Sequence, residues 1–271
     1  CYRNDWSNPN FSLITVCPNW TKNEHCIIYL ISDLHLSATE TDIFRRFEQF
    51  TARLVPGDQL YILGDLFEYW LGDDAVFFLG HENTFNLLRI LTEKQVKIFF
   101  MAGNRDFLVG ETFSKECGVT LLTQEHILEI DSRKLLLMHG DSLCTDDAPH
   151  QAFRSMVLDD TWQKGFLSKS IAERDQLARL ARYRSDDTKT GKSMEIMDVT
   201  DSAVSAIVEK HSVRLLIHGH THRPAIHSIN CQLPNCHRIV LGDWASCESW
   251  ITLTKDEILL HHHGITDQLI L

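Results

Sequence analysis

Residues 59–65, Gln-Leu-Tyr-Ile-Leu-Gly-Asp, form the stretch that decides the fold of this chain. A strand-like run ends there in a glycine, which allows a tight turn, and the turn presents the carboxylate of Asp65. Four more apolar runs are also followed by polar residues that can bind metal; these runs cover residues 27–31, 96–101, 134–138 and 213–217. Ligands gather at the carboxyl ends of strands in α/β sheets, so we expect the five ends to converge on one site.

The polar clusters that follow these runs are rich in metal ligands. In chain order they are Asp33-Leu34-His35, Gly64-Asp65, Gly103-Asn104-Arg105-Asp106, His139-Gly140-Asp141 and His218-Gly219-His220-Thr221-His222. Oxygen and imidazole ligands without thiolates suit Mn²⁺, Fe²⁺ or Zn²⁺. Two such ions about 3.5–4 Å apart can activate water and clamp the phosphoryl oxygens of an in-line displacement. A lone Asp-x-His or Gly-Asp more often marks an ordinary turn, and the prediction of a two-metal site depends on all five clusters together.

Helical stretches alternate with the strand-like runs, which is typical of an α/β (layered α+β) fold. The predicted helices cover residues 40–53, 82–93 and 201–211, and further strands are predicted at residues 238–241, 249–253 and 257–261. Residues 1–26 precede the first core strand, and we interpret them as an N-terminal extension of unknown role. Residues 27–271 are predicted to form one domain.

The segment between His139 and His218 is much longer than the other spacings between clusters. Its residues 148–199 have apolar side chains at helical spacing, for example Phe153 and Met156. We predict that this insertion forms a helical cap over the site. The alternative is an ordinary helical subdomain that packs against the sheet.

Composition narrows the class of protein further. The chain has 271 residues, 44% of them hydrophobic, and no apolar run approaches the roughly 20 residues that cross a bilayer. The first residues lack the pattern of a signal peptide, and the eight cysteines include no Cys-x-x-Cys pair, so we expect a cytosolic protein. A formal net charge of −11 argues against a general nucleic-acid binder.

Residues 148–192 are an exception to this acidity, with nine Lys and Arg against six Asp and Glu, a local charge of +3. A basic segment on an acidic protein indicates an anionic substrate or an anionic membrane surface nearby. A solvated helical face of mixed charge explains the same count, and both interpretations stay open here.

The five clusters resemble the signature blocks of the calcineurin-like metallophosphoesterase superfamily. Longer strings resemble the branch of that superfamily that cleaves UDP-2,3-diacylglucosamine in lipid A biosynthesis; they cover residues 60–68, 103–108, 139–147, 192–199 and 218–224. The resemblance implies two β-sheets flanked by helices, an inserted helical cap and two divalent ions, with Mn²⁺ as the expected metal. It also implies water attack at the α-phosphorus, giving UMP and 2,3-diacylglucosamine 1-phosphate.

The resemblance also assigns roles to individual residues. It implies that one ion is held by Asp33, His35, Asp65 and His222, and the other by Asp65, Asn104, His139 and His220. The implied catalytic residues are Asn104, Arg105 and His220. The implied substrate contacts are Asn104, Arg105, Asp147, Ser185, Lys189, Lys192 and His220. Asp243 stands in a stretch that is usually less charged in that branch, and its part in the site is left open.

A lipid substrate implies a protein that visits the cytoplasmic face of the inner membrane as a peripheral protein. The cap side chains Phe153 and Trp162 are suited to line an apolar groove for the acyl chains. A monomer is expected, without a nucleic-acid partner. The alternative functions are a metallophosphoesterase that acts on another nucleotide or phosphodiester, and a metal-stabilised binding protein without turnover.

Overall fold

The computed structural model describes residues 15–16, 26–189 and 198–271, and it describes side chains for residues 26–182 and 198–271. The strands are β1 (Thr15–Val16), β2 (Ile28–Ile31), β3 (Gln59–Leu63), β4 (Lys97–Met101), β5 (Thr120–Leu121), β6 (His126–Ile130), β7 (Arg133–Leu137), β8 (Leu215–His218), β9 (Ala225–Ile229), β10 (Cys236–Val240), β11 (Trp250–Leu253), β12 (Glu257–His262) and β13 (Ile265–Ile270). The helices are α1 (Thr41–Thr51), α2 (Val76–Leu79), α3 (Glu82–Glu93), α4 (Glu111–Cys117), α5 (Ala148–Val157), α6 (Asp160–Leu167), α7 (Ile171–Lys189) and α8 (Asp201–His211). Short 3₁₀ turns occupy Asp73–Ala75 and Asp141–Leu143.

These strands form two mixed sheets within the described residues. One sheet has the order β13-β12-β11-β2-β3-β4-β5, and the other has the order β1-β6-β7-β8-β10-β9. Strands β2, β3 and β4 pair in parallel, and so do β7 and β8. The carboxyl ends of parallel neighbours lie at the same edge of a sheet, which places the polar clusters side by side.

Strand β3 shows why the apolar runs are continuous rather than alternating. All five of its residues are buried, because each face of its sheet is covered by another layer. Leu60 and Ile62 contribute to a core shared with the outer helices, while Tyr61 and Leu63 contribute to the core between the two sheets. Helix α8 covers the outer face of the other sheet through Val204 and Val208. The predicted layered α/β fold of two sheets with flanking helices is therefore confirmed.

The insertion between β7 and β8 is helical, as predicted. Helices α5, α6 and α7 follow one another there, and Asp147 and Asp159 cap the first two by accepting hydrogen bonds from backbone N–H groups. The boundaries of the cap at residues 148–199 stay a prediction, since residues 190–197 lie outside the described part. The same holds for the extension at residues 1–26, of which residues 15–16 and 26 are described. No helix in the described ranges is both long and apolar enough to cross a bilayer.

Candidate metal centre

The structure brings the polar clusters of both sheets together at one edge. Two groups of side chains have ligand atoms that all lie within 4.8 Å of one another. We call Asp33, His35 and His222 the first half-site, and Asp65, His139 and His220 the second half-site. The two halves are joined directly, because the backbone N–H of His220 donates to Asp33 Oδ2 at 2.8 Å.

Five of these six residues have a left-handed backbone. The φ angles are 58° for Asp33, 53° for His35, 52° for Asp65, 66° for His220 and 56° for His222. Such conformations are uncommon for residues other than glycine, and they collect at functional sites where the surrounding structure enforces them. The three clusters that contain these residues therefore turn sharply at the ends of their strands, and the turns direct the side chains toward one another.

Two glycines in the clusters make this close approach possible. A Cβ at Gly219 would overlap the Ser32 hydroxyl and the Asp33 carboxylate, and a Cβ at Gly103 would overlap the Asp65 carboxylate. Glycine lacks that atom, so the loop after β8 can touch the loop after β2 in the other sheet, and the loop after β4 can touch the loop after β3. The Gly-Asp, Gly-Asn and Gly-His pairs in the sequence therefore have a steric cause.

The first half-site is built on a buried carboxylate. Asp33 is fully buried, and its Oδ2 accepts hydrogen bonds from the Ser32 hydroxyl at 2.6 Å and from the backbone of His220. The two imidazoles face each other, with 3.4 Å between His35 Nε2 and His222 Nε2. Behind the His222 ring, Asp243 Oδ2 lies 3.3 Å from Nδ1, so Asp243 does reach the site.

The second half-site lies deeper, between the two sheets. The His139 ring is buried, and its Nδ1 is 2.8 Å from the carbonyl oxygen of Leu63. Its Nε2 lies 2.9 Å from Asn104 Oδ1 and 3.7 Å from Asp65 Oδ2. The backbone N–H of Arg105 donates to Asp65 Oδ1 at 2.8 Å, so the Asn104 cluster and the Asp65 cluster hold each other in place.

The histidines of the two half-sites differ in their proton affinity. Burial by itself lowers the pKa of His222, but the Asp243 and Asp33 carboxylates outweigh it and raise this pKa to about 10. Burial likewise opposes the Asp65 and Asp33 carboxylates at His139, whose pKa is raised to about 9. At His220 burial prevails, with the neighbouring His139 adding to it, and its pKa falls well below the ordinary value. The carboxylates thus favour positive charge on the rings of His222 and His139, but not on that of His220.

These donors fit a pair of divalent cations. Asp33 Oδ1 is buried without a hydrogen-bond partner in the described part of the chain, although it lies 3.3 Å from His222 Nε2. A buried carboxylate oxygen that accepts no hydrogen bond, beside facing imidazole nitrogens, is costly for a protein, and a bound cation removes that cost. Carboxylate, amide and imidazole donors also make the mixed oxygen and nitrogen set that Mn²⁺, Fe²⁺ or Zn²⁺ accepts.

Asp106 supports the second half-site through hydrogen bonds to the backbone. Its carboxylate accepts hydrogen bonds from the backbone N–H groups of Gly103, Asp65 and Leu66, at 2.7, 3.2 and 2.8 Å. Burial, together with the nearby Asp65 carboxylate, raises the pKa of Asp106 to about 7. This residue therefore ties the turn after β3 to the turn after β4.

The other predicted site residues lie around the cluster or outside the described side chains. The Arg105 side chain is mostly buried, with Nη1 3.7 Å from Glu68 Oε1. Asp147 is buried and caps α5, where it accepts from the His150 N–H at 3.1 Å. Ser185 and Lys189 fall where α7 is described without side chains, and Lys192 falls outside the described residues, so these three stay predictions.

Glu68, Asp243 and His150 complete the surroundings of the site, although no cluster pattern includes Glu68 or His150. Glu68 Oε2 lies 3.3 Å from His35 Nδ1, and the His150 ring centre lies 5.2 Å from that of His220. Glu68 follows Asp65 by three positions, but nothing in the sequence distinguishes it from other acidic residues after a strand. Asp243 and His150 reach the site through pairings that are distant in sequence.

Comparisons with known proteins agree with this geometry. The family model of the calcineurin-like phosphoesterases matches residues 27–224. The UDP-2,3-diacylglucosamine hydrolase of Escherichia coli O6:H1 (strain CFT073) is 44% identical over 233 residues, which cover 86% of this chain and 97% of that protein. The protein of the same name from Escherichia coli O81 (strain ED1a) matches with the same identity and coverage. This chain belongs to the calcineurin-like phosphoesterase family, and it is a hydrolase.

Solved structures with a similar arrangement are more distant in sequence. Vps29 from Entamoeba histolytica, solved as a Zn²⁺ complex, is 14% identical with a TM-score of 0.42, covering 90% of this chain and 98% of its own. The phosphoesterase Yfce from E. coli has the same identity, TM-score and coverage.

Proposed function

We propose that this chain hydrolyses the pyrophosphate bond of UDP-2,3-diacylglucosamine in lipid A biosynthesis, with two Mn²⁺ ions as cofactors. Water attacks the α-phosphorus, and the products are UMP and 2,3-diacylglucosamine 1-phosphate. The observation that carries this proposal is the 44% identity to UDP-2,3-diacylglucosamine hydrolases across 97% of their length. The two half-sites support a phosphoester hydrolase of the two-metal kind.

In this proposal the half-sites hold one ion each. One ion takes Asp33, His35 and His222, the other takes Asn104, His139 and His220, and Asp65 serves both. When bound, the pair supplies an activated water and neutralises phosphoryl oxygens. The protein contributes rigidity, since the carboxylates of Asp33 and Asp65 are held by hydrogen bonds from the backbone N–H groups of His220 and Arg105.

Arg105 is proposed to hold the phosphate oxygens of the substrate. Its guanidinium is a planar fork of donors that matches phosphate, and it starts from the turn that contains Asn104. Glu68 Oε1, at 3.7 Å, keeps this guanidinium beside the half-sites. Asn104 and His220 are the other proposed catalytic residues, and Asp147, Ser185, Lys189 and Lys192 are proposed substrate contacts.

The cap helices leave apolar side chains uncovered, as a groove for two acyl chains requires. Met156 on α5, Leu167 on α6 and Leu177 and Leu180 on α7 are 41–50% exposed. Soluble nucleotides have no use for such a surface, whereas burying an acyl chain contributes about 0.8 kcal/mol per methylene. The cap therefore favours the lipid substrate over the alternative, a small nucleotide or phosphodiester.

The site of action follows from the substrate. We propose that the protein works as a monomer at the cytoplasmic face of the Gram-negative inner membrane, as a peripheral protein. The exposed apolar residues of the cap would meet the lipid surface, and the basic balance of residues 148–192 suits anionic headgroups.

The test compares two substrates with purified protein and Mn²⁺. We expect kcat/KM for UDP-2,3-diacylglucosamine to exceed that for UDP-N-acetylglucosamine by at least about 100-fold, since the acyl chains add several kcal/mol of binding. Hydrolysis in H₂¹⁸O should place the label in UMP if water attacks the α-phosphorus. A preference for the soluble sugar would favour the alternative substrate class, and label in the sugar phosphate would reverse the site of attack.

A further inference from the structure

The chain that follows Asp65 forms a strip along which the cap helix α7 lies. We call residues 66–74 the docking strip. Its backbone is fixed on both sides: Glu68 N donates to Leu36 O at 2.9 Å, and Trp70 N donates to Arg105 O at 3.1 Å. The first bond continues the pairing of β2 with β3 beyond the strand ends, and the second joins the strip to the turn after β4, so the strip is held next to His35 and Arg105.

Helix α7 contacts this strip along its described length. At the far end Arg174, which is buried, donates to Leu71 O and pairs with Asp74. In the middle Tyr69 Oη donates to Asp175 Oδ1 at 3.1 Å. Among the described side chains of α7 only Arg174 is buried, while Leu177 and Leu180 are exposed. Polar contacts therefore fix the position of α7 together with Ile171 and Ala178, which pack against the core.

At the end nearest the half-sites, Arg182 meets Glu68. The Arg182 guanidinium donates from Nη2 to Glu68 Oε1, and its centre lies 5.2 Å from the Tyr69 ring centre. The Glu68 carboxylate is 23% exposed and serves two further partners, with Oε1 3.7 Å from Arg105 Nη1 and Oε2 3.3 Å from His35 Nδ1. One carboxylate thus joins a cap residue, a proposed phosphate-binding residue and a histidine of the first half-site.

We propose that Glu68 is a positioning residue that couples the docking of α7 to the metal affinity of the first half-site. This inference rests on the proposed function only in assuming that the half-sites bind divalent metal. A carboxylate behind a histidine ring fixes the tautomer and orientation of the ligand, and removing it typically costs 10–100-fold in metal affinity. Arg182 holds that carboxylate by a charge-assisted hydrogen bond, so movement of α7 changes the support of His35 and Arg105.

Coupling of this kind has a reciprocal consequence. If docking of α7 strengthens metal binding, metal binding must strengthen docking of α7 by the same factor. Binding of Mn²⁺ therefore orders the cap before substrate arrives, and detachment of the cap loosens the phosphate-binding arginine and one metal ligand together.

The experiment measures Mn²⁺ binding to metal-free full-length protein by titration calorimetry, for wild type, Glu68→Gln, Arg182→Ala and the double variant. We expect Glu68→Gln to weaken one of two Mn²⁺ sites by about 10–100-fold. Arg182→Ala, which touches no ligand, should weaken the same site by about fivefold, and the double variant should bind no more weakly than Glu68→Gln alone. Arg182→Lys, which keeps the charge, should recover part of the loss.

Arg179→Ala is the matched control. It removes another arginine of α7, one that is largely exposed and pairs with Asp175, and it should leave both Mn²⁺ affinities unchanged. Equal Mn²⁺ affinity of Arg182→Ala and wild type, or additive losses in the double variant, would overturn the coupling.

Hydrogen exchange separates this role from a merely structural one. Mn²⁺ should slow amide exchange in residues 171–182 of the wild type and of Arg179→Ala, but not of Arg182→Ala. If Glu68→Gln fails to fold, the Arg182 variants test the coupling alone. Equal slowing of amide exchange by Mn²⁺ in Arg182→Ala and in wild type would contradict the coupling. Loss of the proposed function would appear differently, as coupled Mn²⁺ binding without hydrolysis of UDP-2,3-diacylglucosamine.

Discussion

The two half-sites use the same kinds of ligand but are supported in different ways. In the first half-site both histidines have carboxylates behind their rings, Glu68 at His35 and Asp243 at His222. In the second half-site the His139 ring is held by the Leu63 carbonyl, and the His220 ring faces His150. One half is supported by charged side chains from loops, and the other mainly by a backbone carbonyl and the half-buried ring of His150.

This difference indicates which half-site can change its geometry. A backbone carbonyl in a sheet cannot move without disrupting the strand, so the second half-site is fixed when the sheets form. Side-chain carboxylates can change partners, so the first half-site can respond to what lies outside it, such as Arg182 of the cap. We expect the geometry of the second half-site to stay constant, and the geometry of the first half-site to change with its surroundings.

The largest expected effect comes from removing a ligand from either half. His139→Ala and His222→Ala should each lower bound Mn²⁺ from two ions to one and reduce kcat by at least about a thousandfold, because a metal supplies several kcal/mol of transition-state stabilisation. Elemental analysis and steady-state kinetics measure both quantities. His227→Ala, on the exposed part of β9, is the control, and two bound ions in either ligand variant would contradict the assignment.

A smaller effect should follow from changing support without touching a ligand. Asp243→Asn should weaken one Mn²⁺ site by about 10–100-fold and leave the other unchanged, because His222 loses the carboxylate behind its ring. Asp267→Asn is a matched control, since it removes a carboxylate 2.8 Å from His262, outside the site. Equal weakening of both Mn²⁺ sites would show that the halves are not independently supported.

The cap is expected to affect substrate binding more than chemistry. Leu180→Asp should raise KM for UDP-2,3-diacylglucosamine by about tenfold with little change in kcat, because burying a leucine contributes about 1.5–3 kcal/mol. Leu180 is 50% exposed, so the free energy of unfolding should change little. Ile90→Asp, an equally exposed helical site on α3, should leave KM unaltered; a similar rise there would remove the argument for a lipid groove.

The last prediction concerns the free energy of unfolding in acid. It is measured on metal-free protein, because acid also releases bound metal. His126 is buried on β6 with both ring nitrogens unpartnered in the described part of the chain, and burial lowers its pKa to about 4. Its unfolded pKa is near 6.5, so its neutral form contributes full stability above that value. About 2 kcal/mol is lost by pH 5 as the unfolded chain takes up the proton.

Metal-free His126→Phe should therefore show a flatter decline in the free energy of unfolding between pH 6.5 and pH 5 than metal-free wild type. Urea titrations at each pH measure this slope. The same slope in both proteins would mean that His126 titrates normally in the folded state.

Local patterns predicted most of the fold. Strand β3 and helices α3 and α8 have the predicted bounds, and α1 is shorter than residues 40–53 by a residue or two at each end. Strands β9 and β13 carried no prediction, because their residues are largely half-exposed and show no continuous apolar run. Their pairing with β10 and β12 is decided by the hairpins in which they lie, not by their own composition.

The candidate site also contains residues that local patterns predict and residues that they do not. The candidate ligand clusters could be recognised in the sequence because each is a short polar string at the end of an apolar run, and the structure brings six of their residues into two groups. The supports were not, since Glu68 reads as one more acidic residue after a strand, and Asp243 lies 21 positions beyond His222. A contact between such residues depends on how two sheets and their loops pack, and periodicity in the sequence carries no information about that.

The sequence by itself determined which side chains can bind metal and that they follow strands, because strand formation and turn chemistry act over a few residues. Local patterns did not bring His222 to Asp33 and His35, nearly 190 residues away, which only the family resemblance implied. No feature of the sequence placed Arg182 of the cap at Glu68, and tertiary structure decided that contact. The physical reason is that the packing of one sheet on the other sets the first pairing, and the packing of α7 on the docking strip sets the second. Glycines without a Cβ and left-handed turns then bring the loops into contact.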